Sequence, residues 1–512
     1  MAVYDVILFG ATGFTGGLML KYLASKTSVK YAICGRNRGK MEQAVAELSP
    51  KPEILVLDVV SASLTEVKEV VKQTKCVCTS VGPFQEYGEA LVQACAELGV
   101  DYTDTSGEST FMRQMIEKYD AVARQSGARI AVHCGQDCVP WDLMVWKLWQ
   151  LNGSDLIGVK LLGEMRGVPS GGTLSTAMLS MRTKPSKGTL GFDPLYLADG
   201  KKSEFLTQVD LPKGSRYYEE AGQKGGPWIM GPVMANAVRR TNAVLKMVPD
   251  LKYHEAMLES SDFGLSTLST MAMGIAVYLP FTQSLWYKMG VLPEPGSGPS
   301  AEEMEKGFLT LTGYAETKNK EAKMKAVMKF YTDPGYKDTA RMCVEAALAL
   351  VELPKSQKAG GVYSPAAACG EGLFDRLLAT GTTWEVIKLC TVLAVRKSVT
   401  TAQWNSGNYV ERVSDVAKHI TMIRNCAAEQ NLEGAMNVFE SLKQSGAEMN
   451  SVVYNTVLDA CVECSQLGKA QSWMEQMKKD GMSDVVSYNT LIKAQLQAGN
   501  MKKARALVDE MR

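Results

Sequence analysis

Histidine is scarce in this chain of 512 residues. The only three, His133, His254 and His419, are so widely spaced that a three-histidine metal centre would need all of them together. The twelve cysteines make no disulfide scaffold either. Several, such as Cys34, Cys76 and Cys78, sit in apolar strand-like runs where a reduced, buried thiol is the ordinary state. One CxxC occurs, Cys461 to Cys464, without the second pair that a four-ligand zinc site requires, so no metal is expected. An excess of one charge is also lacking. Lys and Arg number 56 against 55 Asp and Glu, and net charge gives no argument for a polyanion partner. Nor is there room for a signal or transit peptide ahead of the strand-like run Val3–Phe9, and the cytoplasm is the expected location.

What is present is 46% hydrophobic and 22% charged residues, enough to bury sizeable cores. At about 150 residues per domain, roughly three domains are expected. The first 140 residues alternate strand and helix signals, the mark of a parallel α/β sheet. Strands are predicted at Val6–Phe9, Tyr31–Cys34, Ile54–Leu57, Cys76–Ser80, Tyr102–Thr105 and Ile130–His133. Helices are predicted at Leu18–Ala24, Leu64–Lys72, Ala90–Leu98 and Met112–Gln125. Residues 146–349 are longer-spaced and rich in Gly and Pro joints, and read as an α+β substrate domain with an antiparallel sheet. Residues 350–388 are expected to return and complete the Rossmann-type domain of residues 1–145, and 389–414 to be a linker.

Phe263–Tyr287 holds 25 residues without a formal charge, long enough to cross a bilayer, but with six Ser/Thr residues and Pro280. Proline removes a backbone donor and kinks a continuous helix. The expectation is a soluble protein that touches lipid surfaces near Met271–Trp286 without spanning; burial under the second domain is the alternative.

Residues 415–512 are helical and repetitive. Aligning His419, Tyr454 and Tyr488 gives periods of 35 and 34 that also bring Ala435, Ala470 and Ala504 into register, and likewise Leu442, Met477 and Met511. Such a period signals a short α-solenoid of helical hairpins, whose third unit is cut short at Arg512.

Gly10-Ala-Thr-Gly13-Phe-Thr-Gly16 follows a strand and opens a helix. Glycines there permit a tight turn and bring backbone close to a pyrophosphate on the positive end of the helix. Gly10, Thr12, Gly13, Phe14, Thr15 and Gly16 are therefore cofactor-loop candidates. At the end of the second strand, where an NAD site places Asp or Glu, stands Gly35-Arg36-Asn37-Arg38. A guanidinium pairs with a 2′-phosphate that a carboxylate would repel, so Arg36 and Asn37 favour NADP. Asp58, closing the third strand, either reaches the adenine edge or caps the strand end.

Six further segments complete a family pattern. Ser80-Val-Gly-Pro-Phe84, Tyr102-Thr-Asp104-Thr-Ser-Gly107-Glu108, Gly135-Gln-Asp-Cys-Val-Pro140, Ser170-Gly-Gly-Thr-Leu174, Asp333-Pro-Gly-Tyr336 and Gly360-Gly-Val-Tyr-Ser-Pro365 occur in order. Over residues 1–388 the chain resembles the saccharopine dehydrogenase-like oxidoreductases, a group that includes the trans-acting enoyl reductases of lipid biosynthesis. Gln136 departs from the family's usual Phe. The resemblance implies association with lipid droplets or mitochondria, and a small-molecule or lipid-linked substrate. The terminal repeats resemble pentatricopeptide repeats, which read single-stranded RNA one base per repeat. The base-reading positions fall on Asn455 and Asp484, with Asn489 the next unit's counterpart of Asn455. Residues 415–512 carry 11 Lys/Arg against 12 Asp/Glu, so phosphate neutralisation would be weak. A protein-contact role is the alternative.

Reduction by hydride needs positioning and one acid. Tyr102, Asp104, Glu108 and Asp137 are the candidate acids or their anchors, with Tyr102 or a water held by Asp104 as proton source. Ser80, Gly82 and Pro83 are expected to position the cofactor through backbone contacts. Arg166, Arg239 and Arg240 are candidates for an anionic substrate group. Two hypotheses stand: an NADP-dependent oxidoreductase acting on a C=N or C=C bond, or an RNA- or protein-binding adaptor with a non-catalytic nucleotide-binding portion.

Overall fold

In the computed structural model the described residues are 2–26, 28–167, 204–228, 230–259, 298–319, 322–390, 419, 422–423, 426–427, 430–444, 451–483 and 485–511. The uncharged run Phe263–Tyr287 and the linker 391–414 lie outside them. The chain divides into two compact units, Met1–Leu393 and Ala394–Arg512.

The first unit begins with β1 (Tyr4–Phe9), β2 (Tyr31–Gly35), β3 (Glu53–Val56), β4 (Thr74–Thr79), β5 (Asp101–Asp104) and β6 (Arg129–Ala131). These are short, apolar runs because a parallel sheet is buried on both faces. Successive residues of β1 go to opposite faces. Val6 and Leu8 join an apolar cluster with Met19, Leu23 and Val344, whereas Ile7 and Phe9 join one with Val67, Val92 and Phe111. A second sheet follows from β7 (Leu156–Arg166), β8 (Thr207–Asp210), β9 (Arg216–Tyr218), β10 (Gln223–Gly226), β11 (Leu251–Leu258), β12 (Phe308–Thr317) and β13 (Ala322–Phe330). The chain then returns with β14 (Gly361–Tyr363) and β15 (Thr383–Cys390).

The first sheet is parallel, in the order β14-β6-β5-β4-β1-β2-β3. The order reverses between β1 and β4, and a doubly wound sheet binds its ligand outside the carboxyl ends at such a point. The second sheet runs β15-β13-β12-β7-β11-β10-β9, with β8 on β11. It is mixed rather than antiparallel as expected, because β11 pairs in parallel with both β7 and β8.

The return also departs from expectation. It begins before residue 350: the helix Thr339–Glu352 already packs on the parallel sheet, receiving Arg129 from β6 on the carbonyls of Leu350 (2.6 Å) and Leu353 (2.7 Å). Its far end does not complete the Rossmann-type layer, since β15 pairs antiparallel with β13 in the other sheet. A second buried cation binds the two parts together. Arg240, from the helix Gly231–Leu245, meets Asp120 at 3.0 Å and the Val362 carbonyl at 2.7 Å.

The second unit contains the helices Leu432–Gln444, Ser451–Glu463, Leu467–Lys479, Val485–Gln497 and Met501–Met511. Ala435, Ala470 and Ala504, one per repeat, are all buried, as small residues at a helix crossing must be. Cys461 and Cys464 lie in the apolar cluster of these helices.

Candidate functional site

The glycine loop bridges β1 and the helix Phe14–Ala24. Gly10 adopts φ +86°, a left-handed conformation that side chains resist, and its carbonyl accepts the Gly13 N–H at 3.0 Å. The three glycines then differ in kind. A Cβ on Gly16 would fall 1.9 Å from the Gly10 oxygen, so this glycine seats the helix on the turn. A Cβ on Gly10 would meet Ser80 Oγ at 2.9 Å. Gly13, at the helix N-terminus, has the Gly10 oxygen as its nearest neighbour at 3.4 Å and otherwise open space. That is the cradle a pyrophosphate needs: a helix start with open space beside Gly13 among the described residues.

Beside the loop is a cavity of about 240 Å³, whose lining includes Gly10, Thr12, Arg36, Asn37 and Lys40. Among the described residues no carboxylate lines it. Asn37 accepts the Lys40 N–H at 2.9 Å and so caps the helix Arg38–Ala44, fixing the turn that carries both cations. Sequence reasoning missed Lys40; the available signal was the alternating run of cations Arg36, Arg38 and Lys40. Asp58 is not among the lining residues, and its Oδ1 accepts the Val60 N–H at 3.2 Å, a turn-forming bond. Phe14 meets the Tyr336 ring edge-on at 5.4 Å, and Asp333 holds that turn by accepting the Tyr336 N–H at 2.7 Å. The Asp333–Tyr336 motif thus belongs to the loop's surroundings.

The other half of the crevice lies over β4, β5 and β6. The Ser80 N–H donates to the Phe9 carbonyl at 3.2 Å, closing the β4 end against the loop, and Gly82 and Pro83 follow. Glu108 is used up structurally: its carboxylate accepts the N–H groups of Phe84 and Gln85, each at 2.8 Å, and anchors that turn. Asp104 is fully buried. One oxygen accepts from Ser106 Oγ at 2.6 Å, Ser106 N at 3.0 Å and His133 N at 2.9 Å, joining the ends of β5 and β6. Burial pushes its carboxyl up to about 6. His133 stands at φ +62°, which ends the predicted strand Ile130–His133 two residues early.

Tyr102 corrects the sequence reading. It shares Asp104's face of β5 but sits one pleat below the carboxyl edge, in the apolar cluster with Phe111 and Met115, and has no exposed surface. Its phenol is held well above the usual range by burial and by the Asp104 charge. Arg240 is spent on Asp120; Arg239 donates to Asn236 at 3.1 Å, and Arg166 is exposed at the end of β7. Asp137, in the turn after β6, is half-buried, and burial raises its carboxyl to about 6 against the lowering contact of Trp228.

Facing this turn is a group that sequence reasoning missed. Tyr253 and Glu255 lie two apart on β11, both buried, and the phenol donates to the carboxyl. The available signal was an acid on the strand Leu251–Leu258, two residues after Tyr253 and followed by Ala-Met-Leu.

In the repeats, Asn455 is buried and accepts from Ser487 Oγ at 2.6 Å, while Asn489 is exposed. Asp484 lies outside the described residues.

A family model, the saccharopine dehydrogenase NADP binding domain, matches residues 6–130. Pentatricopeptide repeat models match residues 413–464, 452–482 and 479–512. A Mycobacterium tuberculosis protein called "Putative trans-acting enoyl reductase" is 33% identical over 414 residues, covering 75% of this chain and 98% of that one. A trans-acting enoyl reductase of Mycobacterium ulcerans is 32% identical over 406 residues, covering 74% and 96%. Among solved structures, apo saccharopine dehydrogenase (L-Glu forming) from Saccharomyces cerevisiae is 12% identical, with a TM-score of 0.45 over 75% of this chain and 100% of that one. By its near full-length match to those mycobacterial relatives, the chain belongs to the saccharopine dehydrogenase-like family of NADP-binding oxidoreductases, in the trans-acting enoyl reductase group, with pentatricopeptide repeats after the family's domains.

Proposed function

We propose that the protein is an NADP-dependent reductase that adds hydrogen across a polarised C=C bond, on an enoyl group carried by a lipid or thioester; a C=N bond is the other acceptor of this chemistry. The observation that carries the reading is the cavity beside the glycine loop, where Arg36 and Lys40 stand and, among the described residues, no carboxylate does. When bound, the cofactor would supply the hydride. The protein's part is positional and protonic. The open N-terminus at Gly13 would take the pyrophosphate, Arg36 and Lys40 the 2′-phosphate, and Ser80, Gly82 and Pro83 would bracket the reacting half. Asp104 fixes the β5 and β6 ends. Asp137, half-buried with a raised carboxyl, is the best-placed acid to protonate the reduced substrate. The names of the mycobacterial relatives support the enoyl acceptor over the imine. The test follows NADPH absorbance in the full chain with 2-octenoyl thioester and, separately, a cyclic imine. Consumption with the thioester is expected; consumption with the imine alone would refute the enoyl assignment.

The repeats supply a second reading, an adaptor that binds single-stranded RNA or a protein. Their match to pentatricopeptide models favours it, and the burial of Asn455 against Ser487 weighs against base reading in this arrangement. For location, we propose a cytoplasmic protein that associates with lipid surfaces through Met271–Trp286. Flotation with droplets or liposomes is the expected result, and retention in the soluble fraction at low and high salt would reject it.

A further inference from the structure

Three hydrogen bonds pin the turn after β6. The N–H groups of His133 and Cys134 donate to Asp104, to its carboxylate at 2.9 Å and its carbonyl at 2.8 Å, and the Gln136 N–H donates to Thr339 Oγ1 at 3.0 Å. Within that frame His133 holds φ +62°, a left-handed conformation that a residue with a side chain adopts at a cost and keeps only where its surroundings impose it. The same turn carries Asp137, at the carboxyl edge of the parallel sheet.

The ring on this strained backbone is spent on nothing in the fold. His133 is 1% exposed, and neither Nδ1 nor Nε2 has a hydrogen-bond partner among the described residues. The Ser106 backbone faces the ring but lies outside hydrogen-bond geometry. A buried polar side chain left unpaired destabilises a protein, and an apolar ring of similar size would not. Strain and an unpaired imidazole are thus two costs borne for one side chain. Burial pulls the imidazole down to about 4, so the ring is neutral near pH 7 and has one N–H to give. Its cover is adjustable. Met230, just ahead of the helix Gly231–Leu245, stands over Gly107, next to Ser106: a Cβ on Gly107 would meet its methyl at 2.9 Å. Methionine is unbranched and repacks easily.

We propose that His133 is a catalytic residue of the reduction: its ring N–H donates to the acyl carbonyl oxygen of the enoyl substrate, which enters by displacing the Met230 side chain. This rests on the reductase reading. Hydride adds to the β-carbon, and the C=C π pair moves onto the α-carbon and carbonyl oxygen as an enolate. The α-carbon then takes a proton from Asp137, which recovers one from water; one NADPH and one proton are consumed per bond reduced. His133 keeps its own proton throughout. Its N–H meets the oxygen where charge develops, a contact worth most in a water-poor site, and a neutral imidazole polarises a carbonyl without being deprotonated.

The test compares the full chain with His133→Phe, which keeps a ring without its nitrogens, and His133→Gln, which keeps an N–H donor. Four quantities are measured: melting without ligand, NADPH affinity by fluorescence, kcat with 2-octenoyl thioester, and the absorbance of cinnamoyl thioester bound together with NADP⁺. The cinnamoyl chromophore shifts to the red when its carbonyl is polarised, and the parent should show that shift. His133→Phe should melt no lower than the parent, bind NADPH equally, lose about 10²-fold in kcat and abolish the shift, and His133→Gln should restore part of both. A structural role would instead lower melting and leave the shift in place. An unchanged rate and shift in His133→Phe, or a parent without the shift, overturns the proposal; a loss of NADPH affinity moves His133 to the cofactor and overturns it too. Should His133→Phe not fold, His133→Asn takes its place with the same expected losses, since asparagine suits the left-handed backbone but is too short to reach the oxygen. Failure of both to fold makes the residue structural and overturns the proposal. A parent that binds NADPH yet oxidises it with neither thioester nor imine overturns the reductase reading, and this role with it.

Discussion

Replacing Gly13 by alanine would leave the fold intact while weakening cofactor binding, whereas replacing Gly16 would first destabilise the fold. At Gly13 the backbone is extended, φ −83° and ψ 170°, which alanine adopts freely, and the new methyl meets only the Gly10 oxygen at 3.4 Å. Two small effects on stability oppose each other. Alanine is a poorer N-cap than glycine, by up to about 1 kcal/mol, and it restricts the unfolded chain, a gain of about 0.4–1 kcal/mol. The melting temperature should stay within roughly 2–4 °C, the change about 1 kcal/mol produces in a large domain. The same methyl occupies the space over the helix start. Forcing an extra methyl into a fitted contact costs about 1–3 kcal/mol, and NADPH should bind roughly 5- to 150-fold more weakly. At Gly16 the methyl would overlap the Gly10 oxygen at 1.9 Å and press on Ser80 Oγ at 2.7 Å. The loop must move, the protein itself loses about 1–3 kcal/mol, and melting falls by several degrees. Thermal denaturation without ligand and NADPH fluorescence titration separate the two. Unchanged NADPH affinity in Gly13→Ala would refute the assignment of that opening to the pyrophosphate.

Other outcomes follow from the same geometry. Lys40→Ala should weaken NADPH about tenfold, the worth of one charged contact near 1.5 kcal/mol, and leave NADH unchanged in parallel titrations; an equal loss for both would remove Lys40 from the 2′-phosphate. Arg240→Ala removes one of two cations on the buried Asp120, Arg124 staying on its other oxygen, and should cost about 1.5–3 kcal/mol in urea unfolding, the worth of a charged hydrogen bond, against near-neutral change if the arginine served substrate alone. The Asp142 carboxyl, raised by burial to about 7, contributes stability present below the ordinary carboxylate range and lost as pH rises through 7. Asp142→Asn should flatten that decline between pH 4 and 7, and an identical decline in both proteins would exclude Asp142 as its source.

The parallel half of the fold was legible because its signals are local. β1, the glycine turn and the next helix sit together in sequence, and apolar runs bounded by glycine mark strands covered on both faces. The cofactor choice was legible for the same reason, since Arg36 stands where β2 ends. The proton chemistry was not. Alternation places Tyr102 and Asp104 on one face of β5, but only the packing of Phe111 and Met115 over that face removes Tyr102 from the crevice. Glu108 read as an acid near the site because its use as an anchor depends on the Phe84 and Gln85 N–H groups, 24 and 23 residues earlier. Glu255 reaches the start of the helix Gly231–Leu245 across a sequence gap that no spacing rule connects. β15 likewise looked like part of the returning segment, and only its pairing with β13 assigns it to the second sheet.

The central claim is that a 2′-phosphate is recognised between the glycine loop and β2. Fluorescence titration of the full chain with NADPH and NADH, repeated with Arg36→Glu, tests it most directly. The account predicts that NADPH binds at least about tenfold more tightly, from a charge-assisted contact worth about 1.5–3 kcal/mol, and that Arg36→Glu abolishes the preference. Equal affinity for the two dinucleotides in the parent would contradict it.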